Sequence, residues 1–150
     1  MSAAIQFYHL TASPLERALP KLLEKAVAGQ FRVLLWASSE ERAERLNQLL
    51  WTYNPGSFLP HGSLKDGHAE EQPIFISTEL NVPNSAKLLA VTDGRMPEKP
   101  NAFERILDIF DGNDAEAVAQ ARTRWTAYKN GGHEVSYLRQ TEQGGWEKAA

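Results

Sequence analysis

Phe31-Arg32-Val33-Leu34-Leu35-Trp36-Ala37 is a short, nearly unbroken apolar run. A strand with one wet face alternates apolar and polar residues, whereas a run like this suits a strand covered on both faces, as in parallel sheets flanked by helices. Its surroundings agree. Upstream, the stretch from Pro14 to about Ala28 carries Leu15, Leu19, Leu22, Leu23 and Val27 near helical spacing. Ser13, Pro14 and Glu16 form a capping-box arrangement at its start, Pro20 can tighten or kink its first turns, and Gly29 stops it. Downstream, Ser38-Ser39-Glu40-Glu41 opens a helix to about Tyr53, with Ala43, Leu46, Leu49, Leu50 and Tyr53 on one side. Ile5 to Leu10 has strand composition. Strand–helix–strand alternation of this kind predicts a parallel sheet with right-handed crossovers.

The remainder continues the rhythm. Asn54 to Pro73 is loop-like, Ile74 to Ser77 is a third strand, and Lys87 to Thr92 a fourth. Glu79 to Ser85, between those two strands, is too short for a long helix. Pro97 and Pro100 frame an Asn101-capped helix with Phe103, Ile106, Leu107 and Phe110 at i, i+3, i+4 and i+7, ended by Asp111-Gly112-Asn113. A last helix runs from Asp114 to Lys129 and stops at Asn130-Gly131-Gly132. His133 to Gln140 forms a final strand, and the tail after Gln140 either continues it or stays loose. The expectation is one three-layer α/β domain over residues 1–150, large enough to bury roughly 70% of its unfolded surface. Strand order is not readable from one sequence.

Composition narrows the chemistry. With no cysteine, disulfides, thiol nucleophiles and zinc–thiolate sites are all excluded, as suits a reducing compartment. The N-terminus lacks the basic-then-apolar pattern of a signal peptide, and no apolar run approaches the ~20 residues of a membrane span. A formal charge of −3, with the 16 Lys and Arg scattered rather than striped, makes a poor direct DNA binder. A soluble cytoplasmic protein is expected.

The phosphate-binding motifs are missing: there is no G-x-x-x-x-G-K-[ST], and no G-x-G-x-x-G follows a strand. The turn after the first strand, His9 to Ser13, has no glycine to admit a phosphate. The turn after the second, Ala37 to Glu40, lacks one too and carries carboxylates where an anion would sit. His61, Asp66, His68, Glu70 and Glu71 are metal-ligand types, but their spacing matches no recognised pattern and a solvated loop explains them. No G-x-S-x-G elbow exposes a serine nucleophile. Asp93-Gly94-Arg95 follows the fourth strand, where α/β enzymes place functional groups, although a plain Asp-Gly turn accounts for it. No cofactor is expected.

Two aromatic features remain. Trp51, Phe58 and Leu59 surround the loop after the second helix, either as packing plugs or as interface anchors. On the last helix, Ala117, Val118, Ala121, Trp125 and Tyr128 share one arc, with Arg122 and Lys129 on its border beside Val118 and Trp125. An apolar aromatic floor next to two cations suits a ligand with a hydrophobic group and a negative charge. The competing reading puts Trp125 in the core and leaves Arg122 and Lys129 as solvated flanks.

Several stretches resemble the chi subunit of bacterial DNA polymerase III, an accessory component of the clamp-loader assembly. They are IQFYHL, FRVLLWASSEERAERLNQLLW, the segment from Trp51 to SFLPH at Ser57–His61, and ARTRWTAYKNGG, joined by AKLLAVT and ERILDIFDGND. The likeness covers most of residues 4–137, and the W…SFLPH and AR-x-RW-x-AYK segments carry its specificity. It implies a Rossmann-like α/β/α fold with a mostly parallel sheet and neither nucleotide binding nor catalysis. It also implies a pocket for the C-terminal tail of single-stranded-DNA-binding protein, an acidic peptide ending in Pro-Phe and a free carboxylate. Arg122 matches the position that meets that carboxylate, Trp125 a family aromatic, and Val118 and Lys129 flank them. A second surface, matched by Trp51 and Phe58, implies the psi subunit or another clamp-loader component, or a helicase. The loop from Gly62 to Pro73 and the tail after Gln140 match poorly.

A different class competes: an α/β enzyme acting on a phosphorylated small molecule, with Asp93, Arg95 and His61 as its candidate groups. Retention of DNA by a helicase-like remnant is a third reading that the charge opposes.

Overall fold

The computed structural model describes residues 3–52, 61–63, 72–80 and 84–149. Its strands are β1 (Ala4–Leu10), β2 (Val33–Trp36), β3 (Gly62–Ser63), β4 (Ile74–Ser77), β5 (Leu88–Val91), β6 (Arg105–Asp111), β7 (Glu134–Gln140) and β8 (Trp146–Lys148). The helices are α1 (Leu15–Ala28), α2 (Glu40–Thr52) and α3 (Ala115–Asn130), and a 3-10 turn spans Pro100–Ala102. One sheet has the order β3-β4-β2-β5-β6-β1-β7-β8, with every pairing parallel except the last, β7 with β8.

The apolar run becomes β2, paired on both sides and buried at all four positions. Its alternation divides the core. Val33 and Leu35 face the layer of α1 and α2, with Leu19, Leu23, Leu46 and Leu50. Leu34 and Trp36 face the opposite layer, with Phe7, Phe110, Ala121 and Tyr128. That opposite layer holds α3 over β6 and β7, and is completed by Met96 and Phe103 from the β5–β6 connection. The architecture is therefore α/β/α with an irregular segment standing in for one covering helix.

The expected helix at Asn101–Phe110 is wrong: the chain makes the 3-10 turn and then β6, in parallel register with both β1 and β5. Phe103, Ile106 and Phe110 point to the α3 side and Leu107 to the other. In a strand buried on both faces every position can be apolar, and a short apolar run satisfies helical and strand templates alike.

The capping box at Ser13 also fails. Pro14 is the N-cap of α1 and has no side-chain cap, while Ser13 Oγ accepts from Gln140 Nε2 at 2.7 Å. The same glutamine's Oε1 accepts from the backbone N–H groups of Thr11, Ala12 and Ser13 at 3.2, 2.9 and 3.0 Å. The tail after Gln140 turns at Gly144 (φ +88) and returns as β8, placing Trp146 edge-on to Tyr8 at 4.9 Å.

Candidate functional site

Asp114 caps α3, its carboxylate accepting from the N–H groups of Glu116 and Ala117 at 3.0 and 3.4 Å. Three turns of the helix then lie on the sheet through Ala121, Arg124 and Tyr128, all buried. Val118 and Trp125 are half-buried and pack against that core, one step toward the rim. Arg122 and Lys129 stand outside them, exposed. Lys129 Nζ lies 5.4 Å from the Trp125 ring centroid, within cation–π reach. The sequence-predicted four, Val118, Arg122, Trp125 and Lys129, thus form one continuous stripe, since residues three and four apart are neighbours on a helix.

The AR-x-RW segment contains two arginines with opposite fates. Arg124 is 6% exposed and grips Asp108, itself 1% exposed, in the middle of β6. Its Nε and Nη2 donate to the two carboxylate oxygens at 2.7 and 2.9 Å, a fork-to-fork pair. Nη1 reaches the Gly94 carbonyl at 3.5 Å. Arg124 was not singled out in the sequence, although it lies three residues after Ala121 and four before Tyr128, on the buried stripe. Burial, with Asp108 close by, pushes the Tyr128 hydroxyl above the ordinary phenol range. Arg122, one residue earlier than Thr123 on the helix's outer side, forms no ion pair with any described residue.

The sheet supplies the other wall of the stripe. Trp125 lies 5.9 Å from both Phe7 and Tyr137, ring centre to ring centre, and Tyr137 stacks on Phe7 at 6.4 Å with planes 13° apart. Tyr137 Oη is hydrogen-bonded to His9 Nδ1. Burial, then the charge of Arg139, holds the His9 imidazolium form down, with Arg122 acting in the same direction. Burial also raises the Tyr137 hydroxyl. With the imidazole neutral and the phenol protonated, the sense of this bond follows the tautomer of His9. Gly112 makes room for that ring, since a Cβ there would meet His9 Cδ2 at 2.0 Å and the Leu10 carbonyl at 2.5 Å. These contributions from β1 and β7 were missed because they depend on strand order.

The other candidates separate. Trp51, at the end of α2, is 57% exposed and lies edge-on to His61 at 5.0 Å. Phe58 falls outside the described residues, as do Asp66, His68, Glu70 and Glu71. Asp93 and Arg95 pair with each other at 3.3 Å across a turn where Gly94 has φ +75, and the Arg95 guanidinium lies 3.8 Å over Trp36. The crevice at the C-terminal ends of β1 and β6, where α/β folds place ligands, is lined by Thr11, Ser13, Glu16, Thr92, Asp111 and Asn113. Its backbone donors at Thr11 to Ser13 are turned to Gln140, and Glu16 and Asp111 add negative charge. An anion finds its donors taken and two carboxylates facing it. Among the described residues no His, Asp and Glu cluster could hold a metal ion, and no helix is long and apolar enough to cross a membrane.

Comparison with known proteins gives a consistent result. Residues 1–136 match the family model described as DNA polymerase III chi subunit, HolC. A Rickettsia prowazekii protein named "Probable DNA polymerase III subunit chi" is 30% identical, the match covering 95% of this chain and 90% of that one. The "DNA polymerase III subunit chi" of Haemophilus influenzae is 28% identical over 91% of this chain and 96% of its own length.

Proposed function

The chain belongs to the DNA polymerase III chi subunit family, and from that premise we propose that it is a non-catalytic adaptor of the replicative polymerase. It links the clamp loader to single-stranded-DNA-binding protein by holding that protein's acidic C-terminal tail. The observation that carries this reading is the exposed Arg122 guanidinium, unpaired among the described residues and set beside the half-buried Trp125 and Val118. A guanidinium fork grips a terminal carboxylate bidentately, with charge-assisted bonds of about 1.5–3 kcal/mol each. The aromatic floor takes the terminal residue's apolar side chain, and Lys129 draws the acidic residues with salt-sensitive strength. The opposite end of the molecule serves the assembly partner: Trp51 is a large apolar group that is 57% exposed, the kind of anchor an interface buries. Psi or another clamp-loader component is the proposed occupant there, with a helicase as an alternative user of the same surface.

Co-sedimentation tests both surfaces together. Full-length single-stranded-DNA-binding protein is expected to retain this chain, and a version lacking its last residues to lose it. Trp51→Ala is expected to keep tail capture while weakening retention by the clamp loader. Equal retention of the chain by intact and tail-less protein would remove the adaptor reading.

A further inference from the structure

The site on α3 has a second arginine that comes from the sheet. Val135 and Tyr137 of β7 pack on the α3 side of the core. Alternation along the strand therefore places Arg139, two residues beyond Tyr137, on that same side. It is exposed, and its strand register sets it directly beside His9 of β1. Arg122 approaches the same place from above, one helical turn before Trp125, whose ring lies 5.9 Å from Tyr137. The two guanidinium groups act electrostatically on the same pair of rings, His9 and Tyr137, and the Asp111 carboxylate acts on His9 in the opposite sense. Neither forms an ion pair with a described residue. Glu147 is the residue opposite Arg139 across the β7–β8 pairing, and it lies outside salt-bridge distance. Two unpaired cations flanking one aromatic floor are unusual on a chain whose formal charge is −3. Like charges brought together on a surface repel, and an anion between them relieves that repulsion.

We infer that Arg139 is a further cation of this site, beside Arg122 and Lys129, and determines its preference for an acidic side chain upstream of the peptide's terminus. The inference rests on the tail-binding reading above and adds to it. Arg122 takes the terminal carboxylate, the Trp125 and Tyr137 rings take the apolar end group, and Arg139 takes an aspartate carboxylate further back. Tyr137 is held in place for this by its bond to His9. Glu147, opposite Arg139 across the β7–β8 pairing, sets a carboxylate on the neighbouring strand.

A double-mutant cycle by titration calorimetry tests this. The full chain and its Arg139→Ala variant are each titrated with two synthetic acidic peptides, one ending in Asp-Ile-Pro-Phe and the other in Asn-Ile-Pro-Phe. The expected result is a loss of about three- to tenfold in affinity for the Asp peptide on Arg139→Ala, with little change for the Asn peptide. Glu147→Gln is expected to tighten the Asp peptide, an effect that a purely structural role for Arg139 would not produce. Arg139 is at the surface, so the variant folds, as its thermal midpoint will show. If Arg122→Ala abolishes binding while Arg139→Ala weakens both peptides equally, or neither, the assignment of Arg139 is overturned and the adaptor reading stands. If the unmodified chain binds neither peptide, both fall.

Discussion

At the residue scale, two arginines separated by one position do different work. Arg124 is turned inward and neutralises Asp108 inside the protein, whereas Arg122 is exposed and makes no ion pair with a described residue. Breaking a buried pair from one side strands the remaining charge, which costs about 3–5 kcal/mol. Urea denaturation of Arg124→Ala is therefore expected to show a loss of that size. Arg122→Ala is expected to stay within about 0.5 kcal/mol of the parent, as exposed substitutions usually do. Similar losses for the two variants would show that their roles are not divided in this way. Periodicity already contains part of this division, because Arg124 sits among Ala121 and Tyr128 on the stripe that faces the sheet. The partner does not show in the same way: Asp108 looks like an interruption in an apolar strand until β6 is placed beneath α3.

At the element scale, the helices announced themselves better than some strands. For α1, α2 and α3 the apolar stripes appear in the chain, as do the glycine stops of α1 and α3, and the structure places the helices within a few residues of expectation. β6 was mistaken for a helix because its apolar residues serve two faces at once, so their spacing reports neither face. The tail was unreadable for another reason: β8 exists through its pairing with β7 and through the contact of Trp146 with Tyr8, both long-range. Gln140 at the end of β7 is the joint that ties this hairpin to the β1–α1 turn. Its carboxamide oxygen is the shared acceptor of three backbone donors, and an unsatisfied buried donor costs about 1–3 kcal/mol. Gln140→Ala is expected to destabilise by about 2–4 kcal/mol, with Gln140→Glu intermediate, because a carboxylate accepts the three backbone bonds but cannot donate to Ser13 Oγ and is charged at a buried position. Chemical denaturation of the pair checks this, and an unchanged midpoint for Gln140→Ala would show that water replaces the side chain.

At the scale of the whole molecule, the crevice at the strand ends is lined by Glu16 and Asp111, and its backbone donors at Thr11 to Ser13 are taken by Gln140. The exposed cations Arg122 and Lys129 lie elsewhere, on the outer edge of α3. That arrangement supports the proposed adaptor role, in which the subunit recognises another protein's terminus. The helical half of the site, Val118, Arg122, Trp125 and Lys129, was legible because one helix carries it. The proposed contribution of the sheet, Tyr137, His9 and Arg139, was not, because β7 and β1 are far apart in sequence and become neighbours only in the sheet. The central claim is that Arg122 holds a terminal carboxylate, and it is tested most directly by one comparison. The affinity of this chain for an acidic peptide ending in Ile-Pro-Phe is measured with the peptide's end as a free carboxylate and again as an amide. The account predicts that amidation weakens binding by about 10- to 100-fold, and that the difference vanishes in Arg122→Ala. Equal affinity for the two peptide ends would contradict it.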